Sequence, residues 1–269
     1  MCSIKIGAVS YLNTKPLVFG LAERPELDLI FDLPSRLADR LSAGELDVAL
    51  IPVIEAVANP QYTIVSDACI ACRGPVRSVK LLSKVALADI QTIALDEGSR
   101  TSAALAKVIL NEKFGLKPKS LDLPISQQWR EVSTDAVLVI GDRAMHPMSN
   151  SSGFEIEIDL GEYWNQWTGL PFVFAVWAAR PGVSFSVVDT ALASARDLGL
   201  NRIDEISNAC AAGYNLTVEE CVSYLTEHLH FQLGQLEKRG LALFIERAKK
   251  LLLIDQDLDL QFYDCKVTG

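Results

Sequence analysis

The sequence predicts an α/β fold of two lobes, with the chain crossing between them twice and a helical segment completing the first lobe. Three observations predict it. Short apolar runs alternate with helix-period segments from the N-terminus to about residue 180 of the 269, the pattern of strands covered by helices. Two strand-like segments, residues 79–83 and 172–178, stand between the α/β units as hinge strands. From residue 186 onward the pattern is helical. Lobe one then holds residues 1–82, lobe two 83–175, and residues 176–269 return to lobe one with the C-terminal helices. A ligand cleft lies between such lobes, and hinge closure excludes water from it.

The first apolar run, residues 4–9, ends at polar residues with Pro16 close behind. Ser10, Asn13 and Thr14 are helix-capping types, and Pro16 suits a first helical turn, where its missing N–H loses no partner. A hydroxyl, an amide and free helix N–H groups are thereby expected at the carboxyl end of the first strand, where open α/β sheets hold ligands. The same residues also read as a well-capped βα unit with no ligand. Residues 27–33 form a strand, and Pro34-Ser35 starts a helix that stops near Gly44. Residues 47–52 form a buried strand ending in Pro52, residues 53–58 a short helix ended by Asn59-Pro60, and residues 62–72 a longer strand. Alternation of this kind predicts a parallel sheet.

The second unit starts near Leu87. Residues 92–95 form a strand, residues 96–102 (D-E-G-S-R-T-S) a polar loop, and a helix runs to about Phe114 with Leu105, Val108 and Ile109 on one face. Residues 121–123 and 136–140 are strands, and Gly141-Asp142 opens the next turn. Residues 155–159 alternate, and residues 171–179 form an apolar strand closed by Arg180-Pro181-Gly182. In the helical segment Thr217-x-x-Glu220 is a capping box. Residues 241–253 carry a dense apolar stripe, and no further strand is expected until a short piece near Gln261.

Composition narrows the function. Net charge is −9, which argues against nucleic acid, since that partner needs a basic face. An anionic substrate needs a local pocket of N–H groups and arginines, and Arg73, Arg77 and Arg100 are placed to supply one. No export signal is visible and the longest apolar runs are too short to span a bilayer, so a cytoplasmic protein with no membrane partner is expected. The six cysteines form no disulfide framework in such a chain. Cys69-x-x-Cys72 lies in a strand-like run, where its two side chains point to opposite faces, and reads as two ordinary buried thiols. The three histidines offer little for a metal site or a triad; His228 and His230, two apart on an expected helix, diverge. No metal is expected.

Four segments carry chemistry. Ser99-Arg100-Thr101-Ser102 is a polar strand-to-helix turn at the positive end of a helix dipole, which suits a carboxylate, and Arg100 can pair with one bidentately. Its plain reading is an N-cap beside a solvent-facing arginine. Gly74-Pro75-Val76-Arg77-Ser78 fixes the chain before the first hinge, so that Ser78 faces the cleft. Asp142 reads as a helix cap rather than a reacting group. Trp164 and Trp167 can wall a six-membered ring or pack in the core, the commoner role. Asp47 and Glu55 bracket a strand with no reason to act as acid and base.

Residues 9–17, V-S-Y-L-N-T-K-P-L, resemble the opening of the chorismate dehydratases of the futalosine route to menaquinone. Similar blocks follow in order: R-G-P-V-R-S-V at 73–79, S-R-T-S-A at 99–103, V-I-G-D-R-A at 139–144 and W-T-G-L-P-F-V-F-A-V-W at 167–177. They span about two thirds of the chain. The resemblance implies a type II periplasmic-binding-protein-like fold. It implies dehydration of chorismate to 3-[(1-carboxyvinyl)oxy]benzoate with no redox cofactor or metal. Asn13 and Ser78 become the candidate catalytic residues, and Ser10, Ser99, Arg100, Thr101 and Ser102 the candidate substrate-binding residues. The strongest motifs hold no obvious protein base, so the substrate's own enolpyruvyl carboxylate is the candidate proton acceptor. Two alternatives share the fold. A solute-binding protein for a small carboxylate would normally carry an export signal. The 1,4-dihydroxy-6-naphthoate synthases of the same pathway are disfavoured by the Y-L-N-T and W-T-G-L-P-F blocks.

Overall fold

The computed structural model describes residues 3–146 and 153–263. Lobe one begins with β1 (Ile4–Val9), which pairs in parallel with β2 (Leu27–Asp32) on one side and β3 (Val48–Pro52) on the other. The helices α1 (Pro34–Ser42) and α2 (Val53–Ala58) follow β2 and β3. Every residue of β3 is buried, as expected of a central strand covered on both faces. β4 (Thr63–Cys72) is the last strand before the chain leaves this sheet.

Lobe two contains β5 (Val79–Ser83), β6 (Thr92–Asp96), α3 (Arg100–Phe114), β7 (Lys119–Leu123), β8 (Ala136–Ile140), β9 (Ile156–Asp159) and α4 (Leu160–Thr168). Its strand order is β7-β6-β8-β5-β9. The chain then returns through β10 (Phe172–Ala179) and continues in α5 (Phe185–Leu200), α6 (Ile203–Cys210), α7 (Val218–Ser223), β11 (His230–Gln232) and α8 (Gln235–Lys250). The expected capping box is present, Thr217 accepting from the Glu220 N–H and Glu220 from the Thr217 N–H.

Three expectations change. The first sheet is mixed rather than parallel, with order β11-β4-β10-β3-β1-β2, because β10 inserts antiparallel between β3 and β4. The strands expected to cross between lobes each lie inside one sheet. Val79–Ser83 is flanked by β8 and β9, and Phe172–Ala179 by β3 and β4. Residues 73–78 and 169–171 make the passages instead, the second starting from Gly169 at φ 68°. A strand with ladder partners on both edges has no freedom to bridge two sheets, whereas a turn has. His230 belongs to a strand that pairs with β4, while His228 ends a π-helical turn over Tyr224–His228. A three-residue strand is too short to show a period of its own.

One carboxylate pins the first passage to the start of α4. Asp159 accepts from the N–H groups of Val76 at 3.0 Å and Arg77 at 2.6 Å, and it caps α4 through the Glu162 N–H at 3.0 Å. Arg77 holds the left-handed φ of 62° that this clamp requires.

The C-terminal helices dock closely. A Cβ on Gly199 of α5 would lie 2.0 Å from the Pro16 carbonyl oxygen, and one on Gly240 of α8 2.0 Å from that of Pro171. Trp164 is fully buried against Phe172 and Phe244, with its indole N–H donating to the Pro171 carbonyl at 3.1 Å. Trp167 lies under the Arg247 guanidinium. Cys69 and Cys72 are free and buried, and burial pushes both thiols up, Cys72 to about 12. Among the described residues, no helix is long and apolar enough to cross a membrane.

Candidate active site

A cavity lies where the carboxyl ends of β1 and β3 face lobe two. Asn13, Ser78, Ser99 and Ser102 supply its polar lining, and Tyr11 and Phe174 are its aromatic walls. Lobe one contributes Tyr11, Asn13 and Phe174, the first passage contributes Ser78, and the start of α3 contributes Ser99 and Ser102.

The local structure after β1 differs from the capped helix expected there. Residues 12–18 form a 3₁₀ helix with Tyr11 at its N-cap position and no side-chain cap. The Leu12 N–H donates instead to Asp142 Oδ1 of lobe two, at 3.2 Å. The first turn of α2 repeats the arrangement, its Ile54 N–H donating to Thr101 Oγ1 of lobe two at 3.3 Å. Unpaired N–H groups at helix starts need acceptors, and here side chains of the opposite lobe provide them. The Asp142 cap expected from sequence therefore exists, but it serves the other lobe's helix.

Asn13 is buried, and its Oδ1 accepts from the Thr14 hydroxyl at 3.3 Å. Ser78 is buried too; its hydroxyl is 3.4 Å from the Val76 carbonyl, and its own carbonyl accepts from the Gly141 N–H at 2.8 Å. Ser99 caps α3 by accepting from the Ser102 N–H at 3.2 Å. The positive end of this 15-residue helix therefore meets the cavity and favours a negative group there. Tyr11 enters between two glycines of lobe two. A Cβ on Gly141 would lie 2.9 Å from the ring, and one on Gly98 2.9 Å from the hydroxyl.

Burial governs the ionisable groups around the site. It raises the Asp142 carboxyl to about 6, against the opposing Leu12 N–H and the Lys15 charge. It pushes the Tyr11 phenol well above its ordinary value, assisted by the charges of Asp96 and Asp142. Asp96 is also raised by burial, opposed by Arg143 at 2.5 Å and by the N–H groups of Gly98 and Ile140. Among the described residues, none that lines the cavity is Asp, Glu or His.

The structure brings Asn13, Ser78, Ser99 and Ser102 to one cavity and places Ser10, Arg100 and Thr101 outside its lining. Ser10 is exposed, and its N–H donates to the Asp32 carbonyl. Arg100 is taken by lobe-one carboxylates, Asp39 at 2.8 Å and Glu55 at 3.3 Å, so its guanidinium ties the lobes in a neighbouring groove. Thr101 spends its hydroxyl on Ile54. Arg73 pairs with buried Glu237 at 2.8 Å, and Asp47 with Arg180 at 2.5 Å. Trp164 and Trp167 are not in the cavity lining; Phe174, from the same sequence block as Trp167, supplies a wall. Tyr11 sits inside the first motif block and was legible by position alone. Gly141 reads from the sequence only as the opening of a turn.

The comparisons with known proteins agree with this architecture. The family model described as menaquinone biosynthesis matches residues 4–250. A chorismate dehydratase of Thermus thermophilus is 30% identical over 263 residues, covering 90% of this chain and 93% of that protein. A solved Archaeoglobus fulgidus structure superposes with a TM-score of 0.77 at 17% identity, covering 94% of this chain and 98% of that one. A Candida albicans protein described as having the generic periplasmic-binding-protein fold superposes at 0.60 and 13% identity, covering 99% of each chain. Two lobes of mixed α/β structure around a cleft are thus the periplasmic-binding-protein architecture. By the length of the model match and by the identity to the Thermus protein, the chain belongs to the menaquinone-biosynthesis family.

Proposed function

We propose that this protein is a carbon–oxygen lyase that dehydrates chorismate to 3-[(1-carboxyvinyl)oxy]benzoate. The observation that carries the proposal is the 30% identity to a chorismate dehydratase over 90% of the chain. The lining of the interlobe cavity fits the chemistry. Chorismate loses the ring proton beside its enolpyruvyl ether and the neighbouring hydroxyl. The C–H electron pair becomes the last ring double bond, and proton and hydroxide leave as water. Aromatisation drives the step, and no electrons are transferred to a cofactor.

Asn13 and Ser78 hydrogen-bond the departing hydroxyl, whose negative charge grows as the C–O bond breaks. Ser99, Ser102 and the start of α3 hold a carboxylate. The described lining has no Asp, Glu or His, so the enolpyruvyl carboxylate of the substrate takes the proton. The protein's contribution is position and exclusion of water. Purified protein incubated with chorismate is expected to release a product lighter by the mass of one water, with new aromatic proton resonances. Binding followed by release of unchanged chorismate would instead support a solute-binding protein.

A further inference from the structure

Residues 73–78 belong to no strand, so contacts outside any sheet ladder hold the passage that ends at Ser78. Asp159 holds it from lobe two, at the N–H groups of Val76 and Arg77. Two histidines hold it from lobe one. His228 Nδ1 lies 2.9 Å from the Pro75 carbonyl oxygen, and His230 Nε2 lies 3.0 Å from Nη2 of Arg73. The partners settle the protons. A carbonyl only accepts, so Nδ1 of His228 carries a hydrogen. A guanidinium only donates, so Nε2 of His230 carries none and that ring is neutral. Arg73 also donates from Nε to Glu237 Oε1 of α8 at 2.8 Å. Glu237 is fully buried, its Oε1 lies 3.6 Å from His230 Nε2, and its Oε2 has no partner among the described residues.

We infer that His230 is a positioning residue for the dehydration: its neutral ring, with Glu237, holds Arg73 and so fixes the passage that delivers Ser78 to the cavity, and protonating that ring releases the passage. A proton on Nε2 would set two cationic donors against each other at 3.0 Å. A buried carboxylate needs a cation, and the protonated ring is close enough to replace Arg73 there. Arg73 is exposed and can then turn to water. The other charge near the ring is Arg196 of α5, paired with Asp67 of β4 at 2.6 Å and with Asp197 at 2.8 Å. Burial lowers the His230 ring from its ordinary value, the charges of Arg73 and Arg196 add to this, and Glu237 and the Gln232 main chain oppose them. Burial raises the nearby Cys69 thiol, which stays neutral.

The role rests on chorismate dehydration, so an inert wild type would overturn both. With an active wild type, kcat should fall about fivefold along an acid limb whose midpoint matches an NMR titration of His230, below about 6.5. His230→Gln keeps an oxygen that accepts from Arg73 and does not titrate. It should lose the limb and hold kcat within about twofold of wild type at about pH 7.5. His230→Ala has no acceptor and should lower kcat about fivefold at that pH, with KM within about twofold. Asp142→Asn, which removes the carboxyl raised to about 6, should keep the limb. A limb unchanged in His230→Gln, a limb lost in Asp142→Asn, wild-type kcat in His230→Ala, or a His230 ring titrating at or above about 6.5 would each overturn the role and leave the dehydratase reading intact. Failure of both His230 variants to fold would make the ring structural and overturn it likewise.

Discussion

Leu12 and Asp142, 130 residues apart, meet across the cleft: the main-chain N–H that opens one lobe's 3₁₀ helix donates to the carboxylate that opens the other lobe's turn. The contact joins the lobes beside the cavity and leaves the carboxylate largely desolvated.

Folding raises Asp142 from 3.8 to about 6, so between those values the native state holds a proton that the unfolded chain has released. Its contribution to stability is fully present below the unfolded pKa and is lost as pH rises through about 6, by up to roughly 3 kcal/mol. In Asp142→Asn the amide oxygen can still accept from Leu12 but nothing titrates. The variant should therefore be more stable relative to wild type at about pH 7 than at about pH 4. Urea unfolding of both proteins across that range tests this, and parallel profiles would refute it.

Gly141 has φ 67° and a Cβ position 2.9 Å from the Tyr11 ring. Gly141→Ala combines left-handed strain of about 1–2 kcal/mol with a wedge driven between the lobes at the cavity wall. A fall of at least about tenfold in kcat/KM is expected, since small misplacements of reacting groups are costly. A crystal structure of the variant should show Tyr11 displaced. Wild-type kinetics would mean that this contact does not set the cavity's shape.

Asn13→Ala and Ser78→Ala should lower kcat about a hundredfold, near 3 kcal/mol for one transition-state hydrogen bond. Thr101→Val should behave differently. It leaves the Ile54 N–H without its interlobe acceptor, costing about 1–3 kcal/mol, and should raise KM by weakening closure while kcat is kept. Steady-state kinetics with chorismate separate the two patterns. Equal effects on kcat from all three would remove the distinction between reaction and closure.

Local pattern in the sequence determined β1, β3, β4 and α1 to α3, because a period of 2 or 3.6, a proline at a helix start and a glycine at its end act over a few neighbours. It also determined that Asn13, Ser78, Ser99 and Ser102 stand at strand ends and helix starts, the points that converge in a two-lobed fold, and the Thr217–Glu220 capping box was readable from spacing alone. Tertiary structure decided the rest. The antiparallel entry of β10 and the short strand β11 depend on pairing with strands far away in the chain. The acceptors of the Leu12 and Ile54 N–H groups lie 130 and 47 residues away, and the carboxylates that take Arg100 are supplied by α1 and α2. A hydrogen bond is settled by which groups the closed lobes bring within about 3 Å of each other, and that proximity leaves no trace in local sequence.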